Sequence, residues 1–326
     1  MENDSDVSND TIHFHYPLFT SVYGLTLAIG LPLNSISLWV FFTKLELRTA
    51  PVIYMTNLAI SDLLFVLSLP FRIYYFATAR WIFGNLVCIV SGTIFSVNFY
   101  TRSLLVTLIS LDRYLAIVHP LNSRSLRSPK AAKVACAIVW LIVMLWSIPI
   151  GLYHQTITGQ LNVTRCYEGF SFGTWQSAFV LISLVITMGF LVPFIIITIC
   201  FFAVVRVMIR ISKESQDFKK YKIIRLFLIN VGVYVVCFVP FNFVLILYGM
   251  HQARYFSVRK IVQLFVAHAI TVCLASISSC LDPIIYYFTT DAFRAFSMKS
   301  EKDTHNTIQL TKRKHQTTMD GTSPIT

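Results

Sequence analysis

The chain has 326 residues, which is enough for one or two domains of ordinary size. Hydrophobic residues make up 56% of it and charged residues only 13%, about half the charged share of soluble domains. A soluble protein could not bury so much apolar surface, so the composition excludes the soluble classes and predicts a membrane protein. The net charge of +12 fits either nucleic acid or anionic lipid as a partner. Because the cations lie in short connectors between apolar runs, we expect membrane lipids and no nucleic acid.

Seven apolar runs follow one another along the chain, and each is long enough to cross a membrane as a helix. They cover residues 18–42, 52–77, 86–118, 131–152, 176–209, 223–250 and 261–288. Most contain a proline, which a membrane bundle tolerates because neighbouring groups satisfy the carbonyl that proline leaves unpaired. The sequence therefore predicts an all-α membrane protein, with a seven-transmembrane helix bundle over residues 18–288.

The orientation in the membrane follows from the positions of lysine and arginine. They are concentrated in the connectors after runs one, three and five and in the C-terminal tail, whereas residues 1–17 contain none. Because cytoplasmic loops carry the excess of positive charge, we expect residues 1–17 to be an extracellular N-terminus at the plasma membrane. Three candidate glycosylation sequons then lie outside, at Asn3, Asn9 and Asn162.

The chain after the last run contains no further membrane span. Residues 289–298 alternate phenylalanine with polar residues, which predicts a short amphipathic helix on the membrane surface. Residues 299–326 are polar and threonine-rich, which predicts a disordered cytoplasmic tail.

Two cysteines lie near the predicted outer connectors. Cys88 begins the third run, and Cys166 follows the fourth run in the outer loop. The remaining five cysteines lie within the runs, and no zinc spacing occurs. Because the outer side is oxidising, we expect a disulfide between Cys88 and Cys166 that holds the loop over the mouth of the bundle.

Charged side chains also occur within the apolar runs, where they are costly unless they face the bundle interior and find a partner. We expect Asp62 and Arg102 to form an ion pair near the bundle centre, with Asp282 nearby. Asn34 is explained equally well by one interhelical hydrogen bond. Since the sequence shows no nucleophile–base pair, metal-ligand set or phosphate loop, we expect neither an enzyme nor a cofactor.

Asp112, Arg113 and Tyr114 are adjacent at the inner end of the third run. They could form a charge pair at the membrane boundary, with Arg113 reaching to the headgroups. They could instead form an internal latch that faces a cytoplasmic partner.

A series of motifs decides between these interpretations. In order they are GLPLN ending at Asn34, NLAISD ending at Asp62, Cys88, the Asp112–Tyr114 triplet, Trp140, Pro193, CFVP ending at Pro240, and DPIIY from Asp282 to Tyr286. Over about residues 18–298 the chain resembles the rhodopsin-like G-protein-coupled receptors. The resemblance implies heterotrimeric G proteins as partners, and the threonine-rich tail adds arrestin and receptor kinases.

The resemblance also implies roles in activation. Asp112 holds Arg113 in the inactive state, and Arg113 faces the G protein in the active state. Phe238, close to Pro240, acts as a toggle, and Tyr286, close to Pro283, swings inward. Arg102 departs from the pattern, because relatives usually carry a small polar residue there that helps to hold sodium beside Asp62. We therefore expect no sodium site.

The spans are most similar to the lysophosphatidic acid receptors of the purinergic-like branch, for example in YMTNLAISDLLFVLSLPFRIYYF and CLDPIIYYFTTDAFR. This similarity predicts a lysophospholipid or other anionic small-molecule agonist. Arginine can bind phosphate through two hydrogen bonds, and the outer half of the chain contains several cations. The candidate ligand-binding residues are Arg72, Tyr75, Arg254, Arg259, Lys260 and His268.

Each of these residues also has an ordinary explanation. Arg72 could reach out to the headgroups, Tyr75 and His268 could be core residues, and the loop cations could be solvated. Alternatives of the same fold are receptors for lysophosphatidylinositol, a small carboxylate or a nucleotide. A seven-span transporter or proton pump is the alternative from another class, but the sequence lacks the repeat symmetry of transporters.

Overall fold

The computed structural model of the chain describes residues 4–45, 47–119, 123–152, 156–158, 164–167, 180–211, 218–252 and 261–289. It describes the backbone without the side chains at residues 4–13, 157–158, 208, 210–211, 218–226, 252, 261 and 286–289. Within this part of the chain, seven helices are long and apolar enough to cross a membrane, which confirms the predicted bundle.

The helices are α1 (Asp4–Thr43), α2 (Ala50–Thr78), α3 (Gly84–Val118), α4 (Pro129–Leu152), α5 (Val192–Ile211), α6 (Phe218–Gln252) and α7 (Ile261–Thr289). The fifth span begins before α5, and includes a π-helical turn at Thr187–Leu191. The first helix begins well before the apolar run at residue 18, because hydropathy marks where the membrane begins and not where a helix begins. The predicted tail and all but the first residue of the predicted surface helix lie outside the described residues.

Helix α3 lies at the centre of the bundle, where it packs against α2, α4, α5 and α6. Close approach of α4 depends on Gly151, since a Cβ atom there would lie 1.8 Å from the Thr93 hydroxyl oxygen. Helix α1 packs against α2 and α7. Asn34 on α1 donates a 3.0 Å hydrogen bond to the Ser279 carbonyl on α7, which is the single interhelical bond considered from the sequence.

Large apolar side chains also cover the outside of the bundle, as at Leu141, Leu145 and Phe243, which are all more than 60% exposed. Surfaces of this kind are stable against lipid tails and not against water, so the outer face agrees with the membrane assignment.

A short hairpin lies across one end of the bundle. Its strands β1 (Ile157–Thr158) and β2 (Thr164–Arg165) pair antiparallel, with Ile157 opposite Arg165. The predicted disulfide is present and joins Cys88 of α3 to Cys166, immediately after β2. The Trp81 backbone N–H also donates to the Thr164 carbonyl at 2.9 Å. These contacts fix the loop over the bundle, and we call this end the disulfide end.

Candidate functional site

A cavity of about 390 Å³ opens inside the bundle toward the disulfide end. Its wall is mainly aromatic and aliphatic, with a few polar groups. It is lined by His15, Phe19, Tyr23, Arg72, Tyr75, Phe76, Gly92, Phe95, Ser96, Phe99, Tyr100, Ile150, Tyr167, Ile182, Phe241, Leu245, Tyr248, Phe265, His268, Ala269 and Val272. A concave, mostly apolar surface with a small number of polar groups is typical of small-molecule binding sites.

Among the described residues of this wall, Arg72 is the only arginine or lysine, and it is only 6% exposed. Its Nη2 atom donates to the Ser91 carbonyl at 2.9 Å. The guanidinium carbon lies 4.4 Å from the centre of the Tyr167 ring and 5.3 Å from that of Phe95. Arg72 therefore points into the bundle and does not reach out to the headgroups.

The charge of Arg72 is not balanced by the described part of the protein. None of the ion pairs among the described residues involves Arg72. Its Nε atom is buried and has no hydrogen-bond partner among them. A buried cation without a counter-ion is costly, so this wall favours an anion in the cavity.

Two further predicted ligand residues line the same cavity. Tyr75 is fully buried and meets the Tyr167 ring edge-on at 5.7 Å. The His268 ring stacks on Tyr248 at 4.7 Å, and its buried Nδ1 atom has no hydrogen-bond partner among the described residues. The structure thus brings Arg72, Tyr75 and His268 together. The remaining predicted ligand residues, Arg254, Arg259 and Lys260, lie outside the described residues.

The sequence analysis missed several residues of this wall, among them His15, Tyr167 and Phe241. His15 precedes the predicted first span, so the sequence places it in the polar N-terminus. For Tyr167 a signal existed, because a residue next to a disulfide that closes the cavity mouth must lie near the site. For Phe241 the sequence contains no signal that distinguishes it from other core aromatics.

Below the cavity, a buried cluster of charges joins α2, α3 and α7. The Arg102 Nη2 atom lies 3.2 Å from each carboxylate oxygen of Asp62 and 2.5 Å from Oδ2 of Asp282. Asn98 donates to Asp62 Oδ1 at 2.9 Å. The predicted ion pair is therefore present, and Asp282 is a direct member of the cluster. We call Asp62, Arg102 and Asp282 the charge triad.

The charge triad does not fit a sodium ion. The guanidinium nitrogen of Arg102 occupies the position between the two carboxylates that a cation would take. All three residues are at most 4% exposed, so the positive charge is fixed in the protein itself.

A continuous row of aromatic contacts connects the cavity to the charge triad. Phe99 lines the cavity and stacks on Phe238 with ring centres 4.4 Å apart. The Arg102 guanidinium carbon lies 6.0 Å from the centre of the same Phe238 ring. Pro240 lies in α6 two residues after Phe238, and Pro283 lies in α7 directly after Asp282.

The opposite end of the bundle carries the Asp112–Arg113 pair. The Arg113 Nη2 atom is 3.3 Å from Asp112 Oδ2, and Arg127 Nε donates to Asp112 Oδ1 at 3.2 Å. Arg127 lies in the connector after the third apolar run, where the sequence gives no sign of a contact with Asp112. Tyr114 does not join the pair, because its hydroxyl lies 3.2 Å from Nε2 of His119. Tyr286 belongs to α7, but its side chain lies outside the described residues.

Comparison with known proteins agrees with this architecture of seven spans. The sequence model of the 7 transmembrane receptor (rhodopsin family) matches residues 33–286. The chain belongs to this family. The receptor is 38% identical over 285 residues to Lysophosphatidic acid receptor 4 of Homo sapiens, covering 86% of this chain and 76% of that protein. It is 35% identical over 292 residues to Lysophosphatidic acid receptor 6 of Gallus gallus, covering 88% and 95%. It is also 34% identical over 273 residues to Proteinase-activated receptor 1 of Xenopus laevis, covering 83% and 63%.

Membership in the family makes the chain a class A G-protein-coupled receptor, a multi-pass plasma-membrane protein that signals through G proteins. Proteins of this family are receptors and not enzymes, and the transporter alternative is wrong. The similarity relates this receptor to the lysophosphatidic acid receptors. Identity at this level does not fix the ligand, because a proteinase-activated receptor is nearly as similar.

Proposed function

We propose that this receptor is activated at the cell surface by a lysophospholipid whose phosphate binds to Arg72. One observation carries the proposal: the Arg72 guanidinium is buried in the cavity wall, and no ion pair among the described residues balances it. Charge-assisted hydrogen bonds from arginine to phosphate are among the strongest polar contacts in proteins.

The rest of the wall suits an acyl chain. Around the polar groups, the cavity is lined by aromatic and aliphatic side chains, including Phe99, Phe241 and Leu245. Each methylene buried against such a surface contributes about 0.8 kcal/mol. A phosphate and a single acyl chain together match the two kinds of surface better than a small carboxylate or a nucleotide does. The names of the related lysophosphatidic acid receptors support the same class of ligand.

The proposed signal passes through the bundle from the disulfide end to the Asp112–Arg113 pair. We infer that the disulfide end is extracellular, because the connectors at the opposite end carry most of the lysine and arginine. A ligand that binds one conformation more tightly would shift the population of receptors toward it. Phe99 and Phe238 connect the cavity to the charge triad, so they are placed to couple ligand binding to movement of α6 and α7.

Two variants test the anion site. We expect Arg72→Gln to raise the concentration of oleoyl lysophosphatidic acid needed for half-maximal G-protein activation by about ten- to hundredfold, the equivalent of one charged hydrogen bond. Arg80→Gln is the matched control, because Arg80 is an exposed arginine just beyond the end of the same helix. Surface expression of both variants should equal that of the wild type.

A panel of ligands separates the alternatives. The wild type should respond to lysophosphatidic acid more strongly than to lysophosphatidylinositol, kynurenate or a nucleotide. If Arg72→Gln responded to its best agonist as the wild type does, Arg72 would not be part of the binding site. A stronger response to another class of anionic ligand would show that the agonist is not a lysophospholipid. The proposal that Arg72 binds the anion would still stand.

A further inference from the structure

Tyr167 occupies an unusual position at the mouth of the cavity. It directly follows Cys166, which the disulfide ties to α3. Its backbone has a φ angle of 67°, in the left-handed region that residues with large side chains rarely adopt. Such a conformation persists only where the surroundings determine it, and it is common at ligand sites. The disulfide on one side and the packing of the Tyr167 ring on the other supply those constraints.

The side chain of Tyr167 makes two contacts that meet at Arg72. Its ring lies 4.4 Å from the guanidinium carbon, closer than the ring of Phe95. Its hydroxyl is hydrogen-bonded to the hydroxyl of Ser91, whose carbonyl accepts the bond from Arg72 Nη2. The Tyr167 ring is itself held by Trp81, with ring centres 5.5 Å apart. The loop is thereby attached to the arginine through both the ring and Ser91.

We propose that Tyr167 is the positioning residue of the anion site. Its ring lies against the Arg72 guanidinium and keeps it in one orientation, while Ser91 engages Nη2. The Arg72 guanidinium, which lines the cavity, is then presented to a ligand in a fixed direction. The aromatic ring supplies this effect through its π face, so phenylalanine should replace tyrosine and an aliphatic residue should not.

The first test needs no agonist. Phenylglyoxal reacts with accessible arginines, and mass spectrometry of the purified full-length receptor reports the rate at each one. We expect Tyr167→Leu to make the labelling of Arg72 about fivefold faster, in line with the loss of a cation–π contact of about 1 kcal/mol. Tyr167→Phe should label at the wild-type rate, and exposed Arg80 should label equally in all variants. An equal rate at Arg72 in the wild type and Tyr167→Leu would overturn the proposal.

The second test rests on the proposed function and uses oleoyl lysophosphatidic acid. Tyr167→Leu should raise the half-maximal concentration about tenfold in the wild-type background, and less than about twofold in the Arg72→Gln background. A role limited to loop folding would reduce potency equally in both backgrounds, which would contradict the proposal.

Two matched variants keep the aromatic ring and remove the hydroxyl contact between Tyr167 and Ser91. Ser91→Ala also removes the hydrogen bonds of the same hydroxyl to the Val87 and Cys88 carbonyls within α3. Tyr167→Phe and Ser91→Ala should each stay within about threefold of the wild-type potency. A loss as large as that of Tyr167→Leu would show that the hydroxyl and not the ring positions Arg72. If the wild type fails to respond to the lipid, the proposed function fails, and the labelling rates still decide the role of Tyr167.

Discussion

Removal of the positive charge from the charge triad should destabilise the receptor more than removal of either negative charge. In the variant Arg102→Gln, the carboxylates of Asp62 and Asp282 would remain buried close to one another without a counter-ion. In Asp62→Asn, by contrast, Arg102 would keep its 2.5 Å contact with Asp282. The structure therefore predicts a larger loss of stability in Arg102→Gln than in Asp62→Asn, a difference that an isolated ion pair would not show.

The size of the effect follows from the geometry. Two unit charges about 4 Å apart attract by about 4 kcal/mol at the effective dielectric constant of about 20 that suits protein sites. Removing one partner of a buried pair typically costs about 3–5 kcal/mol. We expect the loss of stability in Arg102→Gln to lie in the upper part of this range, because two buried carboxylates lose their counter-ion. Asp62→Asn should cost less than about half as much, since one ion pair survives.

The assay is a mutant cycle on surface expression and on thermal stability of the purified receptor. Asp62→Asn combined with Arg102→Gln should be more stable than Arg102→Gln alone, because the second change removes one stranded charge. Arg206→Gln serves as the control, since Arg206 is an exposed arginine near the end of its span. It should leave both measurements unchanged.

If the stability losses of Asp62→Asn and Arg102→Gln simply added in the double variant, the two residues would not interact, and the charge triad would not stabilise the receptor as proposed. A loss of stability in Asp62→Asn as large as that in Arg102→Gln would also contradict the prediction, because the Arg102–Asp282 contact would then contribute nothing.

The remaining predictions concern sodium, the Asp112–Arg113 pair and the disulfide-bonded loop. Replacing sodium by potassium in the assay should leave agonist potency within about twofold, because Arg102 takes the position of a cation; a rise in potency without sodium would contradict this. Arg113→Ala should abolish G-protein activation while surface expression is retained, and intact signalling would remove Arg113 from the switch. Cys166→Ser should lower thermal stability, because closing a loop of 78 residues is worth about 4.5 kcal/mol in chain entropy. It should also weaken the agonist response, because Tyr167 would no longer be held beside Arg72; an unchanged melting temperature would show that the disulfide does not stabilise the receptor.

Several features of this receptor could be predicted from local patterns. The spans follow from runs of about 20 apolar residues, because backbone groups in lipid must be satisfied within one helix. The Asp62–Arg102 pair follows from the cost of an unpaired charge in a membrane. The disulfide follows from the placement of Cys88 and Cys166 at the same predicted face. In each case the physical constraint depends on the type and position of individual residues, so the feature can be predicted from the sequence alone.

Other features depended on which distant residues meet. The sequence could not place Arg72 in a cavity wall, since the same residue could have reached the headgroups. It could not show that Asp282 shares one nitrogen of Arg102 with Asp62, or that Arg127 reaches Asp112. Tyr167 and Ser91 are 76 positions apart, and their contact exists only because the disulfide folds the loop over α3. Hydropathy determines the number and position of the membrane spans, whereas the packing of one helix against another determines the site.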